Sequence, residues 1–161
     1  MNRRRKPPLF AITILDELLA STTEPLPLEK RTHELTHMLQ GLAAIERGEN
    51  PTLDDWRRCS DALNHLETLI VEMRVAEDHQ GLLQDAMKAL VGAGHRFRDG
   101  LPIRLDGPGI HAVRAMLEDY SALVDQLPAR TIIRAQRLTE RRIRAIQSGK
   151  RLAHDVEVLD L

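Results

Sequence analysis

The sequence predicts an all-α protein, and two observations lead to this prediction. Only four of the 161 residues are aromatic, so one of the two classes of side chain that favour strands is nearly missing. No run of useful length alternates apolar and polar residues with the period of two that a half-buried strand requires. With 42% hydrophobic and 29% charged residues, a chain of this length can bury the core of a single domain.

Helix-start and helix-stop residues divide the chain into a bundle of about five helices. A short apolar segment ends near residue 20 and is followed by the linker STTEPLP. The first long helix is predicted over about residues 28–47, ahead of Gly48. Thr52 and Asp55 form a capping-box pattern for a second helix, which we expect to reach about residue 74 or 77. A third helix is predicted over about residues 79–98.

A fourth helix is predicted after Asp106, a cap candidate, with Pro108 in its first turn. Pro128 then interrupts the chain, and a fifth helix is predicted to about residue 148. The apolar positions of the fourth helix alternate by three and four residues, a spacing typical of a helix that packs on a partner helix. We expect the protein to form a homo-oligomer through this seam, which comprises Ile110, Val113, Leu117, Tyr120, Val124 and Leu127.

The predicted helical domain covers residues 9–149, between a basic flexible arm at residues 1–8 and a tail at residues 150–161. The apolar run near the N-terminus is broken at Asp16 and Glu17, so it is too short for a membrane span. Cys59 is the only cysteine, which excludes an intrachain disulfide and suits a reducing compartment. We therefore expect a cytoplasmic protein with no cofactor and no membrane contact.

The string THELTH contains an H-E-x-x-H pattern made by His33, Glu34 and His37. In zinc peptidases, two histidines one helical turn apart bind the metal and the glutamate activates a water. These residues define an alternative function, a zinc-dependent hydrolase. The longer metzincin pattern is broken, because Gln40 and Ala43 stand where its glycine and third histidine belong.

Helix geometry argues against a metal site at THELTH. At about 100° per residue, both histidines fall on the side opposite the leucines at positions 28, 35, 39 and 42. We therefore expect His33 and His37 to face solvent, and His65 to lie on a polar flank of its own helix. The sequence favours a protein that is not an enzyme and has no catalytic residues.

The last predicted helix carries the strongest functional pattern. Residues 129–151 hold eight basic residues and one acidic residue, residues 1–6 carry four positive charges, and residues 7–128 carry a net charge of −9. The total of −1 therefore hides a strongly dipolar chain. Five arginines of this helix fall within about 80° of arc, and they are Arg130, Arg134, Arg137, Arg141 and Arg144.

Aligned guanidiniums repel one another, so the arginines need compensating negative charge. One interpretation is ion pairs with carboxylates of the same chain or of a second copy. The other is nucleic acid, whose phosphates attract such a face, although no helix-turn-helix pattern accompanies it. We expect a non-enzymatic binding and assembly protein that engages itself, an acidic protein or nucleic acid through this face.

Four stretches of the chain carry a resemblance to a known family. They are LPLEKRTHELTHMLQGLAAIERGE, TLDDWRRCSDALNHLETL, RLDGPGIHAVRAMLEDY and RIRAIQSGK. Together they resemble small all-helical proteins encoded in proteobacterial prophages, a family without an assigned activity. The resemblance implies a phage or mobile-element accessory factor that binds a host or phage component, and it implies no catalytic residues.

Overall fold

The computed structural model describes residues 11–149, and within this range the chain is all α-helical, as predicted. The predicted arm at residues 1–8 and the predicted tail at residues 150–161 lie outside the described residues. None of the helices in the described range is long and apolar enough to cross a membrane. The helices are α1 (Ile14–Leu19), α2 (Leu28–Arg47), α3 (Leu53–Glu67), α4 (Leu83–Arg98), α5 (Gly107–Gln126) and α6 (Ala129–Gln147), and a π-helical turn, Thr68–Glu72, extends α3.

The predicted capping signals are confirmed. The Thr52 hydroxyl accepts a hydrogen bond from the Asp55 N–H at 3.2 Å, while the Asp55 carboxylate accepts one from the Thr52 N–H at 2.8 Å, so each residue satisfies the other. Asp106 accepts from the backbone N–H of Gly109 at 2.7 Å and caps α5. A second capping box at Thr13 starts α1, which explains why the short apolar segment before the linker forms a helix.

Two helix boundaries differ from the predicted ones, and a side-chain hydrogen bond explains the second difference. Regular α-helix ends at Glu67, and the π-helical turn carries the chain on to Glu72, close to the predicted end near residue 74. The fourth helix of the fold, α4, begins at Leu83 instead of near residue 79. Asp78 accepts from the Leu83 N–H at 3.1 Å, so residues 79–82 form the turn that precedes the helix.

The centre of the bundle is α3, which contacts α2, α4, α5 and α6. The consecutive helices α2 and α3 form one close pair, α4 and α5 form a second, and α1 packs on α6. Leu63, Leu66 and Leu69 of α3 and its π turn are fully buried with Met116 of α5. Each such side chain contributes about 1.5–3 kcal/mol to stability, so the core holds α3 firmly where the polar groups described below converge.

The apolar seam of α5 lies inside this core. Val113, Leu117 and Val124 have no exposed area, and Tyr120 is also buried. Their surroundings are α2, α3 and α4 of the same chain. The prediction that a second copy packs on this seam is therefore wrong, because the seam is already buried within one chain. The homo-oligomer itself stays a prediction.

Candidate functional site

The five aligned arginines of α6 divide into two groups, and the first group holds α1. Arg130 donates hydrogen bonds to the carbonyls of Leu18 at 2.7 Å and Ala20 at 3.2 Å. Those carbonyls lie at the C-terminal end of α1, where a cation complements the helix dipole. Arg137 donates to the Glu17 carboxylate at 2.7 Å. Two of the five predicted binding residues are therefore used inside the chain.

The second group is exposed. Arg134 lies 4.0 Å from the Glu17 carboxylate, and Arg144 pairs with Glu140 one turn earlier at 3.5 Å. Arg141 makes no ion pair with a residue of the described range. Exposed pairs contribute less than about 1 kcal/mol, so Arg134 and Arg144 can exchange these contacts for those of a partner. Arg141 can bind a partner without losing an ion pair of the described range.

The most buried cation of α6 is Arg142, which lies beside the predicted stripe. Its side chain is 11% exposed and donates to Glu67 at 2.6 Å and to Glu72 at 3.3 Å. A π-helical turn brings residues five apart onto one side, which explains how both glutamates reach one guanidinium. Residues five apart do not share a face of a regular α-helix, so no pattern in the sequence indicated that Glu67 and Glu72 bind one cation.

The short helix α1 exposes a group of large apolar side chains next to the arginines. Glu17 of α1 is held by Arg137 and lies 4.0 Å from Arg134, so α1 packs along the arginine side of α6. Apolar groups bordered by arginine are typical of protein–protein interfaces. We call this surface the α1–α6 face. It comprises Ile14, Leu15, Leu18 and Leu19, which are 58–78% exposed, with Arg134, Arg141 and Arg144.

The two histidines of THELTH touch each other, with ring centroids 4.3 Å apart at an interplanar angle of 73°. His33 is exposed, but His37 is half-buried and its Nδ1 is buried without a hydrogen-bond partner. The prediction that both face solvent is therefore wrong for His37. Between residues 11 and 149, no group of three or more His, Cys, Asp or Glu side chains is placed to hold a metal ion, so this range offers the zinc-hydrolase alternative no complete ligand set.

A close approach of α2 to α3 at Gly41 explains the position of His37. A Cβ at Gly41 would lie 2.7 Å from the Asp55 carbonyl oxygen, so only glycine allows this contact. It turns Met38 into the core and leaves Leu39 46% exposed. At about 100° per residue, the side of α2 that faces the bundle is rotated by roughly 80° from the predicted apolar face.

The same rotation brings part of THELTH into a polar pocket that the sequence did not predict. The pocket has a volume of ≈ 360 Å³ and lies among α2, α3, α5 and α6. Sequence reasoning missed it because its residues come from four helices; the one local signal was Asp61 and His65, one helical turn apart on α3. The polar pocket includes Glu34, His37, Asp61, His65, Tyr120 and Gln136 in its lining.

Two carboxyls of the pocket are hard to ionise. Burial raises the pKa of Asp61 to about 6, against the opposing charge of Arg57 and with a smaller contribution from Glu140. Burial also raises the pKa of Glu34, and a hydrogen bond from Gln136 at 3.3 Å opposes this rise. Both residues are exposed over part of their surface. The pKa values are raised because the carboxyl groups face the pocket, where less water surrounds them.

Two ring side chains of the pocket are neutral at physiological pH. Burial lowers the pKa of His65 to about 4, and the charge of Arg142 adds to this effect. Burial raises the pKa of Tyr120, and the charge of Glu34 adds to it. The Tyr120 hydroxyl lies 3.3 Å from His65 Nδ1, which lets it donate to an unprotonated ring nitrogen. The sequence-based expectation that His65 occupies a polar flank is therefore wrong.

No family model, curated protein or solved structure matches the chain. Its function is therefore inferred from the geometry of its own residues, those of the α1–α6 face and of the polar pocket.

Proposed function

We propose that this chain is a non-enzymatic binding and assembly protein that docks its α1–α6 face onto an acidic protein surface. The observation that carries the proposal is the presence of four exposed apolar side chains of α1 beside exposed guanidiniums of α6. Apolar side chains favour a protein partner over a phosphate backbone, and guanidiniums bind carboxylates through charge-assisted hydrogen bonds. The resemblance to prophage-encoded proteins extends the proposal to a cytoplasmic accessory factor of a phage or mobile element.

A second copy of the chain is the acidic partner that we propose. Residues 7–128 carry a net charge of −9, whereas residues 129–151 carry a net charge of +7. Arg130, Arg137 and Arg142 are used inside their own chain, so the positive charge that the α1–α6 face offers is that of Arg134, Arg141 and Arg144. This charge complements the net negative charge that residues 7–128 carry in another copy. Such a contact joins two different surfaces, and its electrostatic part weakens as salt is added.

Sedimentation equilibrium of the full chain over a range of concentration and salt tests this proposal. We expect self-association that weakens with salt and is lost in the double variant Arg134→Glu/Arg141→Glu. The matched control, Lys88→Glu/Arg104→Glu, reverses two exposed cations outside α6 and should associate nearly as the native chain does. A monomer at every concentration, or an equal loss in both double variants, would contradict the proposal.

The apolar part of the face requires a separate variant. We expect Leu15→Ser/Leu18→Ser to weaken self-association even at high salt, because burial of apolar area is not screened by ions. Both leucines are exposed, so unchanged far-UV circular dichroism serves as the control for folding. Association that depends only on the arginines would remove the apolar half of the proposed contact.

A labelled random duplex of about 25 base pairs distinguishes a protein partner from nucleic acid. We expect no specific dependence of duplex binding on Arg134 and Arg141. Binding that falls steeply with salt, and that disappears in the Arg134→Glu/Arg141→Glu variant, would overturn the proposal in favour of nucleic acid.

The zinc-hydrolase alternative is tested by metal analysis of the untagged protein. About one zinc per chain, lost in His33→Ala, would favour this alternative. We expect substoichiometric metal that does not depend on His33, because no group of three ligands is placed to hold an ion between residues 11 and 149.

A further inference from the structure

The polar pocket carries an excess of negative charge that the binding function of the α1–α6 face does not use. Three carboxyl residues line it, Glu34, Asp61 and Glu140, against the single guanidinium of Arg58. That guanidinium already lies 3.8 Å from the carboxylate of Asp55. Glu140 is already paired with Arg144 at 3.5 Å, so Glu34 and Asp61 carry the charge that is left without an ion pair among the described residues. Carboxylates that share a confined space repel one another, so the pocket favours a positively charged occupant.

Two polar groups of the lining have no hydrogen-bond partner within the described part of the chain. Asp61 interacts with the charge of Arg57 but makes no hydrogen bond or ion pair there. His37 Nδ1 is buried and equally without a hydrogen bond. Buried polar atoms such as His37 Nδ1 are nearly always paired in folded proteins, whereas the Asp61 carboxylate is partly open to water. A ligand that brings N–H donors would satisfy the carboxylate and an unprotonated imidazole nitrogen together.

The rest of the lining favours an organic ligand over a bare ion. Met38, Ala62 and Ile143 provide apolar walls, and the volume of ≈ 360 Å³ is that of a small-molecule site. No group of three or more His, Cys, Asp or Glu within residues 11–149 could hold a metal ion. His65 and Tyr120 are neutral at physiological pH, so neither opposes a cation.

We propose that the polar pocket binds a small organic cation, an ammonium or guanidinium group carried on a short hydrocarbon chain. The charged group binds between Glu34 and Asp61. The negative charges of these two carboxylates both raise the pKa of Tyr120, so both lie near its hydroxyl. The hydrocarbon chain packs on Met38 and Ile143. Charge-assisted hydrogen bonds to carboxylates are the strong ones in proteins, and they relieve the repulsion within the lining.

This binding should depend on pH, because protonation of Asp61 removes one of the charges that the cation meets. Burial raises the pKa of this carboxyl to about 6, so we expect the affinity to fall about tenfold between about pH 7.5 and pH 5. The charged and titratable groups that face Asp61 are Arg57, Arg58 and His65 on α3, Glu34 and His37 on α2, Tyr120 on α5 and Glu140 on α6.

Isothermal titration calorimetry of the full chain with butylguanidinium and butylammonium at about pH 7.5 tests the proposal. Butanol and pentanoate are the neutral and anionic controls of similar length. We expect both cations to bind and neither control to bind. Asp61→Asn, which keeps the size of the side chain, should weaken the cations about tenfold or more, and Glu118→Gln, an exposed acid outside the pocket, should leave them unchanged.

Three results would overturn the proposal. The first is no heat with either cation at about 10 mM, a concentration far above the dissociation constants typical of specific sites. The second is equal affinity for pentanoate, and the third is native affinity in Asp61→Asn. If Asp61→Asn does not fold, Glu34→Gln provides the same comparison from α2. Self-association is measured on the same variants, and its retention in Asp61→Asn separates failure of the pocket from failure of the α1–α6 face.

Discussion

The contact at Gly41 determines which side of α2 faces the bundle, and Gly41→Ala tests it. The substitution adds one methyl group between α2 and α3. The new Cβ would lie 2.7 Å from the Asp55 carbonyl oxygen and 3.3 Å from the Asp55 Cα. Both atoms belong to the backbone of α3, so no side-chain rotation relieves the contact and the two helices must separate.

Two opposing effects set the expected change in the free energy of unfolding. Alanine is more favourable than glycine inside a helix by about 1 kcal/mol. Overpacking a rigid contact costs about 1–3 kcal/mol, and we take the upper value because backbone must move. The expected result for Gly41→Ala is therefore a net loss of about 2 kcal/mol.

Gly92 of α4 provides the matched control for helix propensity. A Cβ there meets only the end of the Arg96 side chain, at 3.8 Å. Gly92→Ala should therefore gain about 1 kcal/mol, the propensity effect alone. The two variants carry the same chemical change on two helices, and they should shift stability in opposite directions.

Urea unfolding followed by Trp56 fluorescence measures both variants. The Trp56 indole is buried and donates to the Leu90 carbonyl at 2.8 Å, so its emission reports on the core. We expect a lower midpoint for Gly41→Ala and a higher one for Gly92→Ala, with similar slopes. If Gly41→Ala is as stable as the native chain, the close approach does not determine the rotation of α2 and the reasoning above is refuted.

Three further predictions concern buried charge and pH, and urea unfolding measures each of them. Arg142→Met leaves Glu67 and Glu72 without their cation, and we expect a loss of about 2–3 kcal/mol; no loss would show that the pairs are exposed in solution. His65 has a pKa of about 4 in the folded chain against 6.5, so it contributes stability that is present above about pH 6.5 and is lost as pH falls towards 4. His65→Gln should remove up to about 3 kcal/mol of that acid dependence, and an unchanged dependence would contradict its burial. Asp61 has a raised pKa of about 6 against 3.8, so its contribution is present below about pH 3.8 and is lost as pH rises to 6. Asp61→Asn should therefore stabilise the chain at neutral pH, by less than about 1 kcal/mol because the partly exposed carboxylate is screened, and should change nothing near pH 4.

The sequence predicted the features whose causes are local. The capping box of Thr52 and Asp55 and the Asp106 cap join groups three residues apart, so the pattern alone identifies them. The position of α1 depends instead on Arg130, which reaches the Leu18 carbonyl across 112 residues of sequence. Because α1 has six residues and none of them is buried, no apolar periodicity could indicate where it packs.

The functional surfaces were predictable only in part for the same reason. Five aligned cations on α6 follow from helical spacing, but the sequence does not show that Arg137 meets Glu17 while Arg141 has no such pair. In the sequence, Gly41 is an ordinary small residue of a helix. Only the structure shows that the backbone of Asp55 packs against it. That one contact decides whether His37 faces water or the polar pocket.

The pocket and the α1–α6 face meet on α6, and the proposed variants can separate them. Gln136 lines the pocket whereas Arg134 and Arg141 are exposed, because residues of a helix are spaced by about 100° and one helix can present two surfaces. Asp61→Asn changes the pocket from α3 and leaves α6 intact. We expect it to lose cation binding and keep self-association, while Arg134→Glu/Arg141→Glu does the reverse. If either variant loses both properties, the cation and the second copy compete for one site, and the division of α6 into two surfaces is wrong.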